Sequence, residues 1–198
     1  MDPQQFAAMY ALTTSIGLRA FTTLALASLA MHFGYLHPSP AFAWLGSDGA
    51  TAALAALALV ELGSDKIPIV DHFVHAIHFA TKPVAAAVLV GSLMPDAGAS
   101  LGPADYAAMG AGALNALGVH TVSATARGAS TVTTAGFANP LISTVEDGVA
   151  VAGTALAIFL PILAAVGALA LTVACLFVAR RIWRTGVARS PARSQRGF

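Results

Sequence analysis

Residues 61–83 read Glu-Leu-Gly-Ser-Asp-Lys-Ile-Pro-Ile-Val-Asp-His-Phe-Val-His-Ala-Ile-His-Phe-Ala-Thr-Lys-Pro, an ionisable stretch between two alanine-rich apolar runs. It holds Glu61, Asp65, Lys66, Asp71, His72, His75, His78 and Lys82. A charge in hydrocarbon costs about 2.5–3.5 kcal/mol even on lenient insertion scales. Such a cluster belongs in the interior of a bundle, where its members satisfy one another or a ligand.

The flanking sequence sets the class. Of the 198 residues, 57% are hydrophobic and 10% charged, with a mean hydropathy of +0.76. Soluble domains carry about 25% charged residues, so this composition points to a membrane protein. Alanine and glycine are abundant, and small residues let membrane helices approach closely. The single cysteine, Cys175, excludes an intrachain disulfide and reads as a small buried hydrophobe.

Apolar stretches define the expected spans. Phe6 to Gly34 is long enough to cross a bilayer, which takes about 20 residues. The connection from Tyr35 to Gly49 contains Pro38, Pro40 and Trp44, and its Tyr35 and Trp44 suit an interface. Ala50 to Leu62 is short and reads as a half-span or re-entrant piece. Pro68 can open a helix that runs through the histidines to Met94, with a kink expected at Pro83. Ala104 to Ala126 predicts a further span, followed by a polar segment from Arg127 to Pro140. Leu141 to Trp183 reads as one long helix or two joined at Pro161.

An internal repeat is one reading of this order, with halves 6–94 and 104–182. Residues 83–93 match residues 161–171 at five of eleven places, and Gly17-Leu-Arg19 echoes Gly118-Val-His120. Inverted halves would place a site at the repeat interface, on broken helices. Residues 1–182 then form one transmembrane domain and 183–198 a basic tail. From Arg180 onward there are six arginines and no acid, which predicts a cytoplasmic C-terminus. Placed directly after an apolar helix, that tail argues against nucleic acid as a partner.

The polar residues give candidate chemistry. Arg19 lies too deep in the first run to snorkel, so it faces inward, to bind an anion or to pair with Glu61, Asp65 or Asp71. Glu61 and Asp65 are four apart and share a helix face, suited to a shared proton or a hard cation. Asp71, His75 and His78 fall on one helix face, a spacing compatible with a divalent metal or a proton relay, while His72 is offset from that line. Glu146 and Asp147 would lie in an early turn of the last long helix, where acids favour the positive dipole end. No HExxH, Walker A, GxGxxG or CxxC signature is present.

These residues carry a resemblance. Gly17-Leu-Arg-Ala-Phe21, Glu61-Leu-x-x-Asp65-Lys66-x-Pro68-x-x-Asp71-His72, Lys82-Pro83 and Asn139-Pro140-x-x-Ser143-x-x-Glu146-Asp147 resemble a small bacterial membrane-protein family known as domain of unknown function 4126. The resemblance spans residues 8 to 182, His75 lies outside its pattern, and it implies a polytopic inner-membrane protein with no assigned substrate.

The sequence thus predicts an all-α, polytopic transmembrane helical bundle with broken or re-entrant helices, resident in the bacterial inner membrane. The expected function is that of a small transporter or channel-like protein. Its central site for a cation, proton, anionic solute or lipid headgroup would comprise Arg19, Glu61, Asp65, Lys66, Asp71, His72, Glu146 and Asp147. The rival readings are an intramembrane metal-dependent enzyme acting on a lipid or isoprenoid, with Asp71, His75 and His78 as metal ligands, and a non-catalytic scaffold. The lipid bilayer is the expected partner, and self-association into a homo-oligomer is compatible with it.

Overall fold

The computed structural model describes residues 2–64, 68–94 and 101–188, and the side chains within them except at 68–76, 178–179 and 182–188. The described residues are helical, with no strand. Seven α-helices follow in order: α1 (Pro3–Leu18), α2 (Ala20–His32), α3 (Asp48–Ser64), α4 (Pro68–Ser92), α5 (Pro103–Thr134), α6 (Asn139–Phe159) and α7 (Pro161–Ala188).

 A 3-10 helix, Pro40–Gly46, precedes α3 at a bend of 62°.

Local chemistry sets several of these boundaries. The Asp2 side chain accepts from the Gln4 N–H at 3.2 Å and Pro3 opens α1. The Asp105 carboxylate accepts from the Gly102 N–H at 2.8 Å, before which no helical partner exists. Helix α5 ends where Ala135 and Gly136 take positive φ. It therefore runs past Ala126, through part of the segment expected to be polar connection. Its hydroxyls make this tolerable: Thr131, Thr133 and Thr134 donate back to the carbonyls of Arg127, Ala129 and Ser130 at 2.8–3.0 Å.

The largest departure from expectation lies in the first apolar run. Phe6 to Gly34 is not one continuous span. It breaks at Arg19, whose φ −135 and ψ 102 are extended, and α2 folds back along α1. Four contacts establish the reversal. Gln5 Nε2 donates to the Leu93 carbonyl at 2.5 Å and the Ser39 N–H donates to the Ser92 carbonyl at 2.7 Å, so both ends of the α1–α2 unit meet the C-terminal end of α4. Ser15 touches the position of Gly153, while Thr23 pairs with the adjacent Thr154 at 3.3 Å. Residues four before and four after Arg19 thus lie at one level of α6. The unit is a helical hairpin with Arg19 at its tip.

A second hairpin forms at Leu160, where φ −138 and ψ 62 interrupt the helix before Pro161. Pro lacks an N–H and disfavours helix at the residue before it. Val149, Gly153 and Leu156 of α6 line one groove with Ala164, Gly167 and Leu171 of α7, as antiparallel neighbours must. By contrast, α4 continues through Pro83.

Helix α1 sits centrally, against α4, α5, α6 and α7. Leu12 and Ile16 are fully buried, and the neighbouring Thr13 and Thr14 turn their hydroxyls to the Tyr10 carbonyl and receive the Asn115 amide at 2.9 and 3.0 Å. Close approach depends on glycine: a Cβ on Gly17 would stand 2.5 Å from Val119 Cβ and 2.8 Å from the Ala116 carbonyl. The echo noted between Gly17-Leu-Arg19 and Gly118-Val-His120 therefore falls on segments that touch.

The distribution of polarity is inverted relative to a water-soluble bundle. Arg19, Glu61 and Lys82 are buried, whereas Leu59, Leu114 and Phe177 are each about two-thirds or more exposed, at 72%, 71% and 67%. Large exposed apolar surface marks contact with lipid or partner. Among the described residues, α6 is long and apolar enough to cross a membrane, and the bent pair Pro40–Gly46 plus α3 is a second such stretch if counted as one span.

Candidate functional site

A helix end carries four orphan backbone groups and about half an elementary charge, positive at the N-terminus and negative at the C-terminus. The hairpin tip buries one end of each sign. At the start of α2, the Glu61 carboxylate of α3 accepts from the Ala20 N–H at 2.8 Å and the Thr22 N–H at 2.9 Å. The Thr22 hydroxyl donates to the same carboxylate at 3.0 Å. At the end of α1, the Lys82 ammonium of α4 donates to the carbonyls of Gly17 at 3.0 Å and Leu18 at 2.8 Å. Each orphan end is met by a full charge of opposite sign.

Two histidines connect these charges. His78 Nε2 lies 3.7 Å from Glu61 Oε1. Lys82 Nζ lies 3.0 Å from His120 Nδ1, and as an ammonium it donates there, a role for the ring that requires the neutral form. The His78 and His120 rings are 6.2 Å apart, and Phe79 and Phe21 border them at 4.8 and 6.5 Å. All four polar groups are buried.

Arg19 leaves the tip in the other direction. Its Nε is 2.5 Å from Asp147 Oδ1, and Nη2 donates to the Ser143 hydroxyl at 2.6 Å and carbonyl at 3.3 Å. Glu146 lies 3.9 Å from Arg19 and also receives Arg127 and the Ser123 hydroxyl of α5. Three interior cations (Arg19, Lys82, Arg127) thus stand among three anions (Glu61, Glu146, Asp147) within the described residues. Near-neutral balance is what a low-dielectric interior demands.

Of the residues proposed from sequence, the structure brings Arg19, Glu146 and Asp147 together, with Glu61 beside the same tip. The pairing differs from expectation in one respect: Glu61 caps α2 rather than joining Arg19, whose described carboxylate partners are on α6. Glu146 and Asp147 sit beyond the first turn of α6, so their environment is the buried arginines rather than the helix dipole. Asp65 and Lys66, and the side chains of Asp71, His72 and His75, lie outside the described residues. His78, the remaining metal candidate, faces Glu61 and His120. Among the described residues no three His, Cys, Asp or Glu side chains are arranged to hold a metal.

The network also takes in Lys82, Ser143 and Arg127, which the sequence marks without assigning them to the site, and Ser123, which it does not mark. Lys82 carried a usable signal, a lone cation immediately before a proline in an apolar run. Ser123 carried none.

Residues 6–181 match the family described as Domain of unknown function (DUF4126), and the chain belongs to that family. No curated protein and no solved structure gives a significant match to the chain.

Proposed function

We propose that this member of the family is a multi-pass protein of the bacterial inner membrane, its C-terminus cytoplasmic, that moves a small cation or proton through the region of the α1–α2 tip. One observation carries the reading: a helical hairpin ends inside the molecule, and its two dipole ends meet Glu61 and Lys82. Helix breaks at this depth are costly in lipid and are found where they line a site or a pathway. The exposed apolar flanks of α3, α5 and α7 support the membrane setting. The arginines after Arg180 support the orientation.

Purified protein in proteoliposomes, with a pH-sensitive dye inside and an imposed potassium diffusion potential, tests the reading. Proton or monovalent cation flux above protein-free vesicles, cut at least tenfold by Glu61→Gln, is the expected result. Flux at background for protons, sodium and potassium would reject the transport reading and leave the charge network as a scaffold element.

A further inference from the structure

We infer that the α1 C-terminus at the hairpin tip is a binding position for a primary ammonium group, which Lys82 fills with its own side chain. The position has three acceptors: the carbonyl oxygens of Gly17 and Leu18, at 3.0 and 2.8 Å from Nζ, and His120 Nδ1 at 3.0 Å. An ammonium has three N–H donors and no acceptor, so the match in number is complete. The distances are those of N–H donors to oxygen and nitrogen. The negative end of the α1 dipole adds attraction for any cation there.

Three features make this a site and not an incidental contact. Lys82 is 3% exposed and His120 is 1% exposed, so water does not compete for the acceptors. The carbonyls are fixed by the break at Arg19, which removes their helical partners. The acceptors come from two helices, α1 and α5, and the donor from a third, α4, so the ammonium joins three elements at the tip. Lys82 therefore acts as a tethered cation. The inference rests on the hairpin tip being an ion site, but it predicts binding and is read without flux.

Truncation to alanine removes three methylenes and the ammonium, a fragment equivalent to n-propylammonium. Thermal unfolding of purified Lys82→Ala in detergent is followed with n-propylammonium chloride, ethylammonium chloride, tetramethylammonium chloride and sodium chloride at equal ionic strength. The expected result is a lowered Tm, recovered by half or more with n-propylammonium, less with ethylammonium, and not with tetramethylammonium or sodium. Wild type and Lys82→Met, which fills the space without donors, should show no amine-specific recovery. Equal response of K82A to all four salts would overturn the proposal, as would equal recovery of Lys82→Met. If K82A does not survive purification, it is prepared with and without n-propylammonium throughout. Monodisperse protein only with the amine supports the site, and none in either preparation overturns it. Because no flux is measured, this outcome is independent of whether the vesicle assay succeeds.

Discussion

The Glu61 carboxylate on α3 accepts the Ala20 backbone N–H at 2.8 Å, joining residues 41 apart across the start of a buried helix. With the Thr22 N–H and hydroxyl, it accounts for three donors that the break at Arg19 would leave exposed to a dry interior. Glu61→Gln keeps the shape but turns an amide donor toward one of these donors. A buried donor left without its acceptor costs about 1–3 kcal/mol. At about 2–4 °C per kcal/mol for a chain of this size, the Tm should fall measurably in detergent. An unchanged Tm would mean the carboxylate does not hold the α2 end.

Arg19 and Asp147 form a second long-range pair, at 2.5 Å. Removing either charge takes from the other its nearest described opposite charge, so the two single effects should not add. A double-mutant cycle of Arg19→Gln and Asp147→Asn should give a coupling of about 0.5–3 kcal/mol. Additive single effects would show that the two side chains do not depend on each other.

Glycine positions on the α1–α5 contact differ in a testable way. Gly17→Ala puts a methyl against Val119 and the Ala116 main chain, which cannot move aside as a side-chain end can. Strong loss of folded protein is expected. Gly118→Ala, where no atom lies within 4 Å, should be neutral or stabilising by up to about 1 kcal/mol through helix propensity. Equal behaviour of the two variants, read by size-exclusion recovery and Tm, would contradict the packing.

The hairpin makes a topological prediction. In a Cys175→Ala background, cysteines at Gln4 and His37 should react with an impermeant maleimide from the same side of sealed vesicles. A cysteine at Val132, near the far end of the 32-residue α5, should react from the other. A through-going first span would separate Gln4 from His37, and labelling from opposite sides would remove the hairpin.

Much of the helical framework was legible because its marks are local. Pro161 and Asn139-Pro140 announced helix boundaries, and the short Ala50–Leu62 run falls within α3, which forms a pair with Pro40–Gly46 bent by 62°. Arg19 was recognisable as an inward cation because no membrane-facing environment suits it. The reversal at Arg19 was not legible. No proline marks it, and the residues that make it affordable, Glu61 and Lys82, arrive from 42 and 63 positions away. The helical extension through Thr134 was hidden for a related reason: polar composition suggests a loop, whereas hydroxyls bonded to their own helix do not need one.

Sequence by itself determined that this chain is helical, apolar on its outside and charged at a few interior points, because hydropathy and helix breakers act over neighbouring residues. Only the tertiary structure decided that the first apolar run turns back at Arg19 and which charge meets which helix end. A backbone break in a dry interior is stable only where distant side chains satisfy the freed N–H and C=O groups. That compensation is a property of three-dimensional contact, with no trace in local periodicity.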